Sequence, residues 1–338
     1  MHAINWNKPE NIFNVLWRQN IAQMWTDTEF KVSRDIPSWE ELSLDEKAAY
    51  SKILAGLTGL DTLQGDVGMP LIMMDTDTDR KRAVFSFMAF MEHMHAKSYS
   101  TIFTTLLPPS ETDYLLDEFT KEQPQLVKKA DKIAKTYLEI NPDISVKPMP
   151  YKERGRYDLF ASYMARVASV FLESFLFYSG FYYPLYLKGN GKMVASGEII
   201  RKILLDESIH GVAVGLDAQD IYKHLDVESK AEADKAREEL LQTLYDNEVQ
   251  YAKEIYSPLG SEILDDVLRY VRYNANKALA NLGVKEAFPH EEFNPVVMNA
   301  LDTKTSTHDF FSVKGDGYEI ARNSTPLADE DFVFNFDN

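Results

Sequence analysis

The chain has 338 residues, 45% of them hydrophobic and 26% charged, which suits a packed globular protein and not a disordered one. Its formal charge of −17, with no Lys/Arg-rich run, argues against nucleic acid as a partner, because binding phosphates needs a basic surface. It has no cysteine, which excludes disulfides and thiol catalysis and leaves only nitrogen and oxygen ligands for any metal.

Helical signals run along most of the chain and strand-like alternation is scarce, so the expected fold is all-α. The start, "MHAINWNKPENIF", has no basic region followed by a long apolar run, which predicts no secretory signal and a cytoplasmic protein. "SLDEKAAYSKILAGLTGLDTLQ" opens on the capping-box pair Ser43 and Glu46, then turns apolar with Asp61 as its one buried-looking charge. "DTDRKRAVFSFMAFMEHMHAKSYSTIFTTLL" predicts a long helix closed by Pro108 and Pro109. Within it Glu92, His95 and Tyr99 fall at offsets of three and four, which puts them on one helical face. His93 lies about 100° around the helix from Glu92 and reads as a packing or surface residue. The next segment is more polar and is broken at Pro124.

From about Arg154 to Tyr186 a single helix is expected, and its stretch from Val167 to Leu187 carries one charge, Glu173. A carboxylate at the centre of a membrane span costs about 2.5–3.5 kcal/mol. Pro184 also interrupts the run. The segment is therefore expected to be a helix buried on all sides in a large helical protein, with no membrane involved. "LLDESIHG" follows on another apolar helix and places Glu207 and His210 at the same spacing as Glu92 and His95. Two amphipathic helices, 228–257 and 260–283, complete the expected ordered body. From Phe288 onward the helical period is lost, giving an expected division into a helical domain 1–288 and a flexible tail 289–338.

Two Glu-x-x-His units on two apolar helices, with Asp61 and Glu173 as single acids on two more, make the ligand set of a dinuclear carboxylate site in a four-helix bundle. Four carboxylates and two imidazoles suit iron or manganese. Two divalent ions would also neutralise four acids that are costly to bury unpaired.

These residues resemble the small, radical-bearing subunit of class I ribonucleotide reductase, most closely class Ib, a ferritin-like dimetal carboxylate protein. The resemblance covers nearly the whole chain, through "NWN" at 5–7, "GLTGLDTLQ", "FMEHMHAKSYS", "LESFLFYSGFYYP", "LLDESIHG" and "HDFFSVKGDGY". It implies that Asp61, Glu92 and His95 hold one metal and that Glu173, Glu207 and His210 hold the other, with Glu92 and Glu207 able to bridge. It implies a tyrosyl radical on Tyr99 in a pocket of Phe177, Phe181 and Ile203. Trp25, Asp206 and His95 match the inner part of a long-range radical route, and Tyr318 matches its tail relay. The implied partners are a second copy in a homodimer, the large subunit reached through the C-terminal tail, and a flavodoxin-like activase. The metals are two manganese or two iron ions per chain. His93 and Met94 stand where smaller apolar residues are usual, yet all six ligands are present, unlike in the metal-free subgroup. The alternatives are a desaturase-type oxidase, which would not need Trp25, Tyr99 or an aromatic acidic tail, and an iron-storage protein, which predicts a much shorter chain and multimeric cages.

Overall fold

The computed structural model describes residues 3–7, 11–140 and 148–301, without the side chains of 300 and 301. No strand occurs among the described residues. Leaving aside short turns, the helices are α1 (Ile12–Gln23), α2 (Leu44–Leu63), α3 (Asp79–Leu106), α4 (Pro124–Leu138), α5 (Arg156–Phe171), α6 (Tyr178–Gly189), α7 (Val194–His224), α8 (Val227–Tyr256), α9 (Ser261–Asn281) and α10 (Pro295–Leu301).

Local chemistry starts these helices where the sequence places it. Ser43 and Glu46 form the expected capping box on α2, with Glu46 N–H donating to Ser43 Oγ at 3.2 Å and Ser43 N–H to Glu46 Oε2 at 2.8 Å. Thr78 caps α3 and Asp226 caps α8. The start of α7 is satisfied differently. Asp35, 160 residues upstream, accepts from the amides of Ala195 (2.9 Å) and Ser196 (2.7 Å), so a distant carboxylate supplies the cap.

Packing then selects four elements for the centre: α3 lies against α2 and α7, and α7 runs along α5. Two interruptions shape the middle of this bundle. After α2 the backbone widens into a π-helical turn over Gln64–Gly68, and after α5 into another over Leu172–Leu176, where the Phe177 amide donates to the Leu172 carbonyl five residues back at 3.2 Å. The single helix expected over 154–186 is therefore two helices joined by a π turn, and Glu173 sits on that turn. By length and composition the stretch Arg156–Gly189 could cross a membrane, but 89% of its most apolar window is buried inside the protein.

Arg166 belongs to the same buried stretch. Its guanidinium donates to Asp217 at 3.0 Å, to the Asp75 carboxylate and to the Asp75 carbonyl at 3.2 Å, while Tyr151 donates to Asp217 at 2.8 Å. Lys81 lies 2.8, 2.9 and 2.7 Å from Asp77, Asp217 and Asp220, so that acidic group already holds an ammonium. Arg166→Met would leave Asp75 and Asp217 short of a buried positive charge, a change worth about 3–5 kcal/mol. Urea unfolding of the variant is expected to show a lower midpoint by that free energy, and an unchanged midpoint would contradict it.

The compact unit continues to Leu301. Packing does not stop at the 288/289 division drawn from the sequence, because Phe293 and Val297 are buried and α10 lies on α6. The short helix α10 went unpredicted, since seven residues offer too little periodicity. Tyr318 and the rest of the tail beyond 301 lie outside the described residues.

Candidate metal centre

The fold brings the six expected ligands to one buried place. Asp61 comes from α2, Glu92 and His95 from α3, Glu173 from the π turn after α5, and Glu207 and His210 from α7. All six are essentially without solvent exposure. They form two overlapping groups, Asp61–Glu92–His95–Glu207 and Glu92–Glu173–Glu207–His210, with ligand atoms within 4.8 Å of one another inside each group. Glu92 and Glu207 are common to both.

Both imidazoles turn Nδ1 towards the carboxylates, and His95 is held from its other side as well. His95 Nδ1 faces Glu207 (3.0 Å), Asp61 (3.3 Å) and Glu92 (3.6 Å), while its Nε2 lies 3.1 Å from Asp206 Oδ2. His210 Nδ1 is 2.8 Å from Glu92 Oε1 and 3.4 Å from both Glu173 and Glu207. A carboxylate behind a histidine ring is the usual way a metal-binding nitrogen is held in its tautomer. Trp25 donates its indole N–H to the same Asp206 oxygen at 2.7 Å and stacks on His95 at 6.0 Å and 15°. Trp25, Asp206 and His95 thus form one continuous contact leading to the cluster.

Electrostatics make this a site that lacks positive charge. Burial, followed by interactions with neighbouring acids, pushes Asp61 and Glu173 well above the ordinary carboxylate range. Burial also opposes the charge of Glu207, but the close approach of Glu173, His210 and His95 outweighs it and holds its pKa low. Burial disfavours protonation of His95 and His210, and the surrounding carboxylates reverse that and raise both. Even so, Asp61 Oδ2, both oxygens of Glu92 and of Glu207, Glu173 Oε2 and His210 Nδ1 make no hydrogen bond. Buried polar atoms are rarely left unpaired. Here they converge, carry four potential negative charges and include hard oxygen donors with imidazole nitrogen, which fits two divalent ions of the manganese or iron type.

Tyr99 is wholly buried on α3, one turn beyond His95, and its hydroxyl makes no hydrogen bond. Burial, then the charges of Asp61, Glu207 and Glu92, raises its pKa well above the usual value, so it keeps its proton. Phe177, Phe181 and Ile203 are all fully buried, with the two phenyl rings 6.1 Å apart. His93 points away from the cluster, exposed beside Asp66 at 3.7 Å.

One functional neighbour escaped the sequence reading. Gln64, three residues after Asp61, donates from Nε2 to Glu173 Oε1 and, at 2.9 Å, to Ser169 Oγ, and it accepts from the Tyr137 hydroxyl at 2.7 Å. A polar residue at that offset on an apolar helix was the available signal.

A helical bundle whose core carries two carboxylate–histidine groups sharing two glutamates defines a ferritin-like dinuclear carboxylate protein. The chain belongs to the family "Ribonucleotide reductase, small chain", which it matches over residues 3–295. It is 47% identical to ribonucleoside-diphosphate reductase subunit beta of Bacillus subtilis (strain 168), over 98% of this chain and 96% of that protein. It is 39% identical to subunit beta nrdF1 of Mycobacterium tuberculosis (strain ATCC 25618 / H37Rv), over 99% and 98%. Among solved structures it resembles the dimanganese(II) form of Streptococcus sanguinis NrdF, with a TM-score of 0.79, 39% identity, and coverage of 89% of this chain and 99% of that one.

Proposed function

We propose that this protein is the radical-generating small subunit of a class Ib ribonucleotide reductase, an oxidoreductase in which Tyr99 is oxidised to a radical that is passed reversibly to a large subunit to start reduction of ribonucleotides. The observation that carries this reading is the pair of overlapping buried ligand groups and their convergent unpaired atoms. In it Asp61, Glu92 and His95 would hold one ion and Glu173, Glu207 and His210 the other, and Glu92 and Glu207 belong to both ligand groups. The dimanganese content of the Streptococcus sanguinis relative favours manganese over iron. Two such ions, treated with an oxygen-derived oxidant, supply the one-electron oxidising power that the chain itself lacks.

The protein's residues do the rest. Tyr99 must lose a proton with its electron, because burial and neighbouring charges keep the phenol protonated beforehand. Its complete burial excludes water, which would otherwise quench the oxidised ring. Asp206 holds the Trp25 indole N–H and the far nitrogen of His95 on one oxygen, which couples charge at the cluster to the tryptophan. Tyr318 would continue that route towards the large subunit. The assembly would be a cytoplasmic homodimer activated by a flavodoxin-like protein. Low-temperature electron paramagnetic resonance after loading with manganese or iron and oxidant tests the reading: a tyrosyl signal is expected, and its absence from a chain holding two metals would count against it.

The segment "NSTPLADEDFVFNFDN" alternates Phe332, Phe334 and Phe336 among acids and has no Lys or Arg. Aromatic anchors steered by flanking charge suit a groove on the large subunit. Deleting residues 325–338 is expected to leave metals and radical intact while abolishing association and turnover at saturating large subunit. Tyr318 survives that deletion, so the loss would report docking; unchanged affinity would rule the segment out.

A further inference from the structure

Glu173 is the one ligand that lies on a π-helical turn, and it faces a second π turn across the core. Gln64 opens that second turn and is wholly buried. Its amide is held at both ends. Tyr137, also wholly buried and on α4, donates its hydroxyl to Gln64 Oε1 at 2.7 Å, so the amide nitrogen must face the other way, towards Ser169 Oγ and Glu173 Oε1. Glu173 then has one oxygen engaged by Gln64. Its other oxygen, Oε2, makes no hydrogen bond and lies 3.4 Å from His210 Nδ1, within the cluster.

The backbone is built to allow this. A Cβ at Gly68 would fall on the Gln64 side-chain oxygen and within 2.7 Å of the Tyr137 ring, so glycine there gives the pair its room. At Gly65 a Cβ would come within 3.1 Å of Glu92 Cβ, so the same turn also presses on the helix of a shared ligand. The Tyr137 hydroxyl is buried with Gln64 and Ser169, the same two groups that the amide contact joins.

We propose that Tyr137 and Gln64 act as a positioning pair for Glu173: the phenol sets which way the amide points, and the amide sets which carboxylate oxygen is offered to the metal beside His210. Neither residue touches a metal. Without the Tyr137 hydroxyl the amide can turn over and present its oxygen to the Glu173 carboxylate, which repels it. The ligand then loses its single orientation. The inference rests on the two-metal reading and deepens it, by assigning residues that govern one of the two ions.

The test is titration of the metal-free full-length protein with manganese(II) alone, following free manganese by electron paramagnetic resonance. Tyr137→Phe keeps the ring and removes only the hydroxyl. It is expected to weaken one of the two ions by about 10–100-fold, the usual effect of losing a group that orients a ligand, and to leave the other unchanged. Gln64→Met should weaken the same ion, and the double variant should be no worse than Gln64→Met alone, because the phenol acts only through the amide. Tyr163→Phe, which removes a buried hydroxyl that meets Arg237 at 2.9 Å, should bind both ions normally. Wild-type protein that takes up fewer than two ions would overturn the two-metal reading and this inference together. Two ions with unaltered affinity in Tyr137→Phe, additive losses in the double variant, or an equal loss in Tyr163→Phe would overturn the inference alone.

Discussion

Glu207→Ala is expected to cut metal uptake from two ions per chain to one or fewer. Glu207 belongs to both ligand groups, so its removal takes a donor from each at once. It also leaves His95 Nδ1 without its nearest carboxylate, at 3.0 Å, and His210 without one at 3.4 Å. The metal-free variant loses the contacts of Glu207 with both imidazoles, and the loaded one loses a donor shared by both ligand groups besides. Thermal unfolding separates the two effects. Ions that bind only the native state raise its stability by an amount set by affinity, and every tenfold loss removes about 1.4 kcal/mol of it. The rise in midpoint that metal gives the wild type should therefore largely vanish in Glu207→Ala, alongside the lower metal content by elemental analysis. Two tightly held ions in that variant would contradict the shared-ligand geometry.

Tyr99→Phe is expected to abolish the radical and, with it, nucleotide reduction, while metal binding persists. The substitution keeps the ring, and swaps that conserve volume usually cost less than about 1.5 kcal/mol. Here the cost should be smaller still, because the hydroxyl being removed is buried and unpaired. Metal-free Tyr99→Phe should thus unfold at a temperature equal to or slightly above that of the wild type. A tyrosyl signal of wild-type intensity in the variant would place the radical on another of the buried tyrosines.

The six residues of the buried cluster were legible because each announces itself locally. Glu92 with His95, and Glu207 with His210, fall on one helical face by period alone, and Asp61 and Glu173 stand out as single acids in apolar runs. The parts that stayed hidden depend on contacts between distant segments. Asp35 caps a helix from 160 residues away. Gln64 meets Tyr137 across 73 residues, and nothing in either neighbourhood names the other. Arg166 stands in the sequence just outside the apolar run that starts at Val167, yet it is wholly buried against Asp75 and Asp217, partners that only the fold supplies. The π turns are a compromise between helix and packing, and periodicity expects the regular helix in their place. The last helix, Pro295–Leu301, was too short to show a period.

The buried stretch Arg156–Gly189 has a consequence for how the chain is made. Its apolar surface is covered by α7 on one side and by α9 on another, and both follow it in the sequence. At synthesis rates of about 5–20 residues per second, α9 is complete roughly 5–20 s after α6 has left the ribosome. During that interval the stretch is only partly covered, by α2, α4 and, once it emerges, α7. It is then a segment for chaperones to shield, and the point at which a nascent chain slowed before α9 would stick to its neighbours.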